Sequence, residues 1–177
     1  MLNIETLIDD LIDFMRAGYP TALQQVLDDL PAAKKHLKIG VTPPPAENYF
    51  FGEPSRFRRY RAPSVFLAPS SSRHPGEGGG STFNTVDMLE HRILCVVLVE
   101  GISEEALTRA CFRHAEAVDR MLRDREITPS AVTSRATKVF IPNIDYGVIW
   151  VPRDGAERPF RRDVSVELAI RHYDLFT

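Results

Sequence analysis

Cysteine is scarce in this sequence, and the patterns that mark metal sites are missing. The 177 residues include two cysteines, Cys95 and Cys111, and neither belongs to a CxxC or HExxH motif. Each lies in an apolar segment, where a small buried thiol is the usual occupant. We therefore expect reduced thiols, as in a protein made in a cytoplasm, and no metal and no cofactor.

Long hydrophobic runs and a large excess of one charge are also lacking. The longest apolar run, 93–99, is much too short to cross a bilayer, and the first residues carry acids where a secretory signal needs basic side chains. Lys and Arg number 22 against 24 Asp and Glu, a net charge of −2. A protein devoted to nucleic acid usually has a strong positive excess. We expect a soluble protein with no membrane segment whose main task is not nucleic-acid binding.

Two helices are predicted at the N-terminus. Over residues 3–17 apolar side chains recur every three or four positions, and Gly18 is placed to end the helix. A second helix is predicted over 20–30, with Pro20 in its first turn and Pro31 at its exit.

The stretch 38–84 is rich in proline and glycine, and we interpret it as loop insertions within a single domain spanning 1–177. Three successive prolines in KIGVTPPPAEN exclude a helix and a central strand there. Short strands are predicted at 49–51 and 64–68. The following PSSSRHPGEGGGST, 69–82, has the composition of a flexible loop.

The second half of the chain predicts one long strand, one long helix and three further strands. The strand at 87–100 contains an apolar run without alternation, so both of its faces should be covered. Ser103 should cap a helix that ends near Arg123. The apolar stripe of that helix comprises Leu107, Cys111, His114, Val118, Met121 and Leu122, and the predicted exposed flank comprises Arg109, Arg113, Glu116, Asp119, Arg120 and Arg123. The later strands are predicted at 132–141, 146–151 and 161–172, with a hairpin loop at 152–159. The fold class is therefore α+β: a mixed or antiparallel sheet of about four to five strands, one long helix packed on a face, and N-terminal helices.

Two groups of ionisable residues were weighed as catalytic candidates. The first group is Asp87, Glu90 and His91. In a strand, Asp87 and His91 share a face while Glu90 points to the other, so the three side chains do not converge on one site, and a solvated strand end is expected. Cys111 and His114 are one turn apart, but a nucleophilic pair there would be pressed against the sheet. The GEGGGST stretch lacks the lysine of a phosphate-binding loop. We predict no catalytic site and no enzyme activity.

Arginine and aromatic residues provide the candidates for a protein interface. The segment SRFRRYR interleaves both types, and a partner-facing loop is favoured over a nucleic-acid groove because no charge excess supports the latter. Core packing is an equally good interpretation of the aromatic residues near the last hairpin. The candidates are Arg56, Arg58, Arg59, Arg61, Tyr146, Trp150, Arg153 and Arg158.

The segment HRILCVVLVEGISEEALTRACFRHAEAVDRMLRD resembles the strand-then-helix unit of tail terminator, or tail completion, proteins of long-tailed bacteriophages. The similarity includes the apolar strand, the acidic turn, the helix centre at Phe112 and Ala115, and the ending Leu-Arg-Asp. The closing RRDVSVELAIRHYD is also similar to that family. The resemblance covers about 85–175, with a weaker match at 3–30, and the insertions at 38–84 depart from the shorter members.

This resemblance implies a structural protein of the virion tail or neck region, assembled in the host cytoplasm. It implies a homo-oligomer, a hexameric ring that caps the tail tube, stops its polymerisation and joins the tail to the head connector or stopper. The implied partners are copies of itself, the tail tube protein and the connector, while DNA passes through the lumen without sequence-specific binding. Another neck, head–tail joining or tube protein of related fold is the first alternative. A small metal-dependent nuclease using Asp87 and Glu90, or a nucleic-acid-binding module using 56–61, is more distant.

Overall fold

The structure is a computed structural model that describes residues 4–31, 33, 41–54, 60–73, 88–101, 103–123, 125, 137–149 and 160–173. The elements in these residues are α1 (Ile4–Asp28), a 3-10 turn (Ala46–Asn48), β1 (Tyr49–Phe51), β2 (Ser64–Arg73), β3 (Met88–Gly101), α2 (Glu104–Leu122), β4 (Thr137–Tyr146) and β5 (Phe160–Tyr173). The predicted α+β class is confirmed. Of the helices described, none is both long and apolar enough for a membrane span.

The five strands form one mixed sheet in the order β1-β2-β3-β5-β4. Strand β1 is parallel to β2, and the other neighbours are antiparallel. The central strand β3 pairs with β5 along its whole length, from Met88 opposite Tyr173 to Gly101 opposite Phe160. Because β5 lies between β3 and β4, helix α2 crosses over one strand to connect two strands that run in the same direction.

Both helices lie on one face of this sheet, which we call the helix face. Alternate residues of each strand point to it, as the period of two requires. The core contributed by the two longest strands comprises Ile93, Cys95, Val97, Val99, Val164, Val166, Leu168 and Ile170. The even-numbered residues of β3 point to the opposite face, and Val96 and Leu98 are buried there in a second cluster. The prediction that both faces of the apolar run are covered is therefore confirmed.

The prediction of two N-terminal helices was wrong, because α1 continues through Gly18 and Pro20. Its buried stripe runs without a break from Leu7 to Leu27, and this burial outweighs the local breakers. A proline inside a helix removes one backbone hydrogen bond. Gly18 is needed for packing, because a Cβ atom there would lie 3.2 Å from the Met121 sulfur of α2.

Helix α2 begins as predicted. The Ser103 hydroxyl accepts a hydrogen bond from the Ala106 amide at 3.2 Å, and Glu104 and Glu105 occupy the first turn. All six residues of the predicted apolar stripe are buried. One of the six residues predicted for the flank opposite this stripe, Arg113, is buried.

Two strands pass through prolines at which a break was predicted. Strand β2 continues to Arg73, with a register shift between Pro69 and Ser71. Because β1 pairs only with Val65–Leu67, Pro69 has no second strand neighbour in the described sheet, and its missing N–H breaks no hydrogen bond on that side. Strand β4 replaces the strands predicted at 132–141 and 146–151.

Strand β4 accommodates Pro142 at a register shift between Phe140 and Asn143. It is the outermost strand of the described sheet, and proline is tolerated on an edge. Residues 147–149 are not in a strand. Residues 132–136 and the predicted loop 152–159 lie outside the described residues.

Candidate interaction surface

The core beneath α1 and α2 holds a buried polar pair, Tyr19 and His114. The Tyr19 hydroxyl lies 2.9 Å from Nδ1 of His114, and both side chains are almost completely inaccessible. Burial lowers the pKa of His114 to about 4 and raises the pKa of Tyr19 well above its usual value. At neutral pH the hydroxyl is therefore protonated and the imidazole neutral, and the tautomer of His114 sets which of the two groups donates.

The thiol of Cys111, one turn before His114, is not an activated nucleophile. Burial raises the pKa of Cys111 to about 12, which is the opposite of the shift a reactive thiolate needs. Cys111 is fully buried, as expected for a stripe that packs on the sheet. Burial also raises the pKa of Cys95 to about 12. These residues act as core packing.

One recess opens next to the buried pair, at the end of β3. Its volume is about 140 Å³, and its lining is Thr42, Ala62, Pro63, Val99, Glu100, Ala110 and His114. Ligand pockets for small molecules are usually of roughly 300–1,000 Å³. Glu100, its one acidic residue, forms an ion pair with Arg161 of β5. The recess has room for a few water molecules and little more.

Glu90 is buried at the opposite end of β3, on the face of the sheet away from the helices, which we call the outer face. Only 1% of it is exposed. Its Oε1 accepts from Arg92 Nε at 3.1 Å and its Oε2 from Arg171 Nε at 3.0 Å. Arg92 also donates to Glu167 at 2.6 Å. The prediction of a solvated strand end was wrong, because β5 extends alongside this part of β3 and places Arg171 directly opposite Glu90.

His91 lies on the other side of the strand from Glu90, as the strand period predicts. Its Nδ1 is 2.8 Å from the hydroxyl of Ser72, its partner on β2. Asp87, the third member of the predicted group, lies outside the described residues. Within the described ranges, no group of three or more His, Cys, Asp or Glu side chains is arranged to hold a metal ion.

Next to Val96 and Leu98, the outer face carries an aromatic cluster. The rings of Phe50, Tyr60 and Phe66 pack with centroid distances of 4.9 to 5.1 Å. Phe66 is buried, whereas Phe50 and Tyr60 are partly exposed. These aromatic side chains, and not a helix, cover Val96 and Leu98 in the apolar half of the outer face.

Three apolar side chains form a corner between α2 and the end of β4, which we call the β4 corner: Phe112, Tyr146 and Val148. The ring of Phe112 stands edge-on to Tyr146, with centroids 4.9 Å apart. Phe112 is 50% exposed and Val148 is 73% exposed. Phe112 was not among the predicted interface residues, although its position outside the apolar stripe of α2 already indicates an exposed side chain.

The backbone of the β4 corner is fixed by Arg162 of β5. Its Nε donates to the Gly147 carbonyl at 2.8 Å and a terminal nitrogen donates to the Thr108 hydroxyl at 2.9 Å. The Gly147 amide donates to the carbonyl of Asp163 at 3.1 Å. The exposed side chains therefore project from a well-anchored framework.

The other edge of the described sheet, the β1 edge, carries Phe51, which is 49% exposed. Glu47 and Glu53, on either side of β1, are exposed. Arg61 is also exposed, and its carbonyl accepts hydrogen bonds from Asn48 Nδ2 at 2.9 Å and from the Ser64 hydroxyl at 2.5 Å.

Of the predicted interface residues, the structure describes Arg61 and Tyr146. It places them apart, Arg61 before β2 and Tyr146 at the end of β4. Their role in an interface stays a prediction. The remaining six, Arg56, Arg58, Arg59, Trp150, Arg153 and Arg158, lie outside the described residues.

No protein-family model and no curated protein sequence matches the chain. Among solved structures, it is similar to a chain of the virion of a native gene transfer agent (GTA) particle, with a TM-score of 0.41 and 11% sequence identity. The match covers 88% of this chain and 94% of that chain. At this TM-score, the case for a function rests on the residues of the chain itself.

Proposed function

We propose that this chain is a structural protein of a phage-like virion that acts as a tail terminator. In this role it forms a ring on the end of the tail tube, stops tube polymerisation and joins the tail to the head connector. The observation that supports the proposal is the presence of exposed apolar side chains at both edges of the sheet: Phe51 at the β1 edge, and Phe112 and Val148 at the β4 corner. The resemblance of 85–175 to tail terminator proteins supports the same role.

Two different apolar edges favour head-to-tail association. An isologous dimer uses the same patch on both subunits, whereas a ring needs two distinct patches that meet in a heterologous contact. Strands β1 and β4 are the first and last in the strand order, so their apolar side chains lie on opposite sides of the described sheet. Repeating one edge-to-edge contact produces a ring when the successive rotations add up to a full turn without a rise along the axis.

A tail tube or other neck protein of related fold is the competing structural role. A tube protein also uses heterologous contacts, but its assembly continues along the axis without limit. The nuclease alternative is less favoured, because each oxygen of Glu90 accepts a hydrogen bond from an arginine that would compete with a metal ion for it.

The assay is light scattering and negative-stain microscopy of the protein alone and with purified tail tube protein. We expect closed rings or capped tube ends. The variants Phe51→Ser and Phe112→Ser should weaken self-association, because burial of a Phe side chain contributes roughly 1.5–3 kcal/mol. Phe14→Ser, on the exposed side of α1, is the matched control and should assemble normally. A protein that stays monomeric at high concentration and ignores tube ends would refute the proposal, and unlimited filaments would favour the tube protein.

A further inference from the structure

Arg113 differs from every other arginine of α2 and its last turn. Arg109 pairs with Glu105 at 2.5 Å, and Arg123 pairs with Asp119 at 2.5 Å. Arg120 pairs with Glu116 and with Asp29 of α1. Within the described part of the chain, no carboxylate lies within ion-pairing distance of Arg113, and its Nε has no hydrogen-bond acceptor.

Arg113 is nevertheless buried, with 7% of the residue exposed. It lies between two rows of α2: the buried row of Ala110, Ala117 and Met121, which faces α1 at Gly18, and the exposed row of paired charges. Its Nε is buried as well, and a buried cationic donor without an acceptor is unfavourable. Burial and the neighbouring Arg109 lower the pKa of Arg113, and the carboxylate of Glu116 opposes this shift only in part.

We propose that Arg113 is a binding position for a carboxylate side chain supplied by a second copy of this chain. The planar guanidinium fork matches a carboxylate in a two-bond arrangement. The described surface offers unused acids for this contact: Asp9, Glu47, Glu53 and Glu104 are exposed and make no ion pair within the described ranges. Two of these, Glu47 and Glu53, flank the β1 edge that carries Phe51.

A protein carboxylate fits this position better than a nucleic-acid phosphate. Binding to a duplex or single strand depends on several exposed cations along a backbone. Arg113 is recessed, and Arg109 and Arg120 are already paired with Glu105 and Glu116, so this flank of α2 offers no row of free cations to a phosphate backbone. One side chain can reach the guanidinium where a phosphate backbone cannot.

The inference rests on the proposed ring. It is tested by measuring the stability of the single subunit and the strength of self-association, which the same variant should change in opposite directions. In Arg113→Met the aliphatic length is kept and the uncompensated charge is removed. We expect the melting temperature of the dissociated subunit to stay equal or rise, while the dissociation constant of self-association increases by about tenfold or more. Arg109→Met, which removes a paired and more exposed charge, is the control and should change the dissociation constant less than about threefold.

Each outcome decides the question. Weakened assembly of a stable Arg113→Met subunit, with Arg109→Met near wild type, supports the inference. Rings of Arg113→Met that are as stable as those of the wild type would overturn it and leave the terminator role intact. Equal weakening in both variants would also overturn it, because the effect would then be one of general charge. A wild-type chain that does not self-associate would refute the inference together with the proposed function.

Discussion

Acid should destabilise this fold through His114, and the size of the effect follows from its burial. The imidazole titrates near 6.5 in an unfolded chain and at about 4 in the folded one. Between these values the unfolded chain holds more protons, so lowering the pH favours unfolding. The contribution of neutral His114 is fully present above about pH 6.5 and is lost as the pH falls to about 4. At 1.36 kcal/mol for each unit of pKa, the loss amounts to about 3 kcal/mol.

The test is urea unfolding of the wild type and His114→Asn between pH 7.5 and pH 4. The amide group of asparagine, which can both donate and accept, can replace Nδ1 as the hydrogen-bond partner of Tyr19, but it does not titrate. We expect the wild type to lose about 3 kcal/mol more than the variant over this range, while carboxylates contribute equally to both. Tyr19→Phe keeps the buried imidazole and should keep most of the pH dependence. Parallel profiles for the wild type and His114→Asn would show that this reasoning is wrong.

Two further predictions concern the outer face and the β4 corner. Glu90→Gln should lower the free energy of unfolding by about 1–3 kcal/mol, which is less than for a fully buried ion pair because its arginine partners are partly solvated. Glu167→Gln should lower it by under about 1 kcal/mol, because that carboxylate is more exposed. Equal losses for the two variants in urea unfolding would contradict the role of burial. Gly147→Ala should lower the free energy of unfolding by about 1–3 kcal/mol, because the new Cβ would clash with the carboxylate of Asp163. Adding Asp163→Ala should restore most of this loss in thermal unfolding.

The elements that the sequence predicts well are those whose pattern is complete within a short window. Strand β5 was predicted at 161–172 from its strict alternation and spans Phe160–Tyr173. Helix α2 was predicted from its Ser103 cap and apolar stripe and ends one residue before Arg123. In both cases the local propensity and the tertiary burial require the same conformation.

The errors occur where tertiary packing opposes a local breaker. Gly18 and Pro20 predict the end of a helix, yet the continuous burial from Leu7 to Leu27 keeps α1 intact. Pro142 predicts the end of a strand, yet pairing with β5 on both sides of the register shift extends β4. A sequence window of ten residues does not contain the surface that the helix or strand packs against. The energy of packing therefore cannot be compared with the local preference of glycine or proline from such a window.

The same limit explains which parts of the candidate surfaces were missed. Glu90 was predicted to be solvated because Arg171, one of the two arginines that hold it, lies 81 residues away and meets it only through the β3–β5 register. Tyr146 was named as an interface candidate from its residue type, but its association with Phe112 depends on how α2 crosses to β4. Residue type selects candidates, and the fold decides which of them share a surface.

Arg113 combines both kinds of information. The sequence offers Arg113 few local partners, since the positions four residues before and after it hold Arg109 and Ala117. In the structure Glu116, three residues on, pairs with Arg120. On a solvated flank, such an arginine would need no partner. The structure instead buries Arg113 and leaves its Nε without an acceptor. A charge that has no partner in its own helix and is buried by the fold is most simply explained by a counter-charge from another chain, which is the arrangement a closed ring would supply.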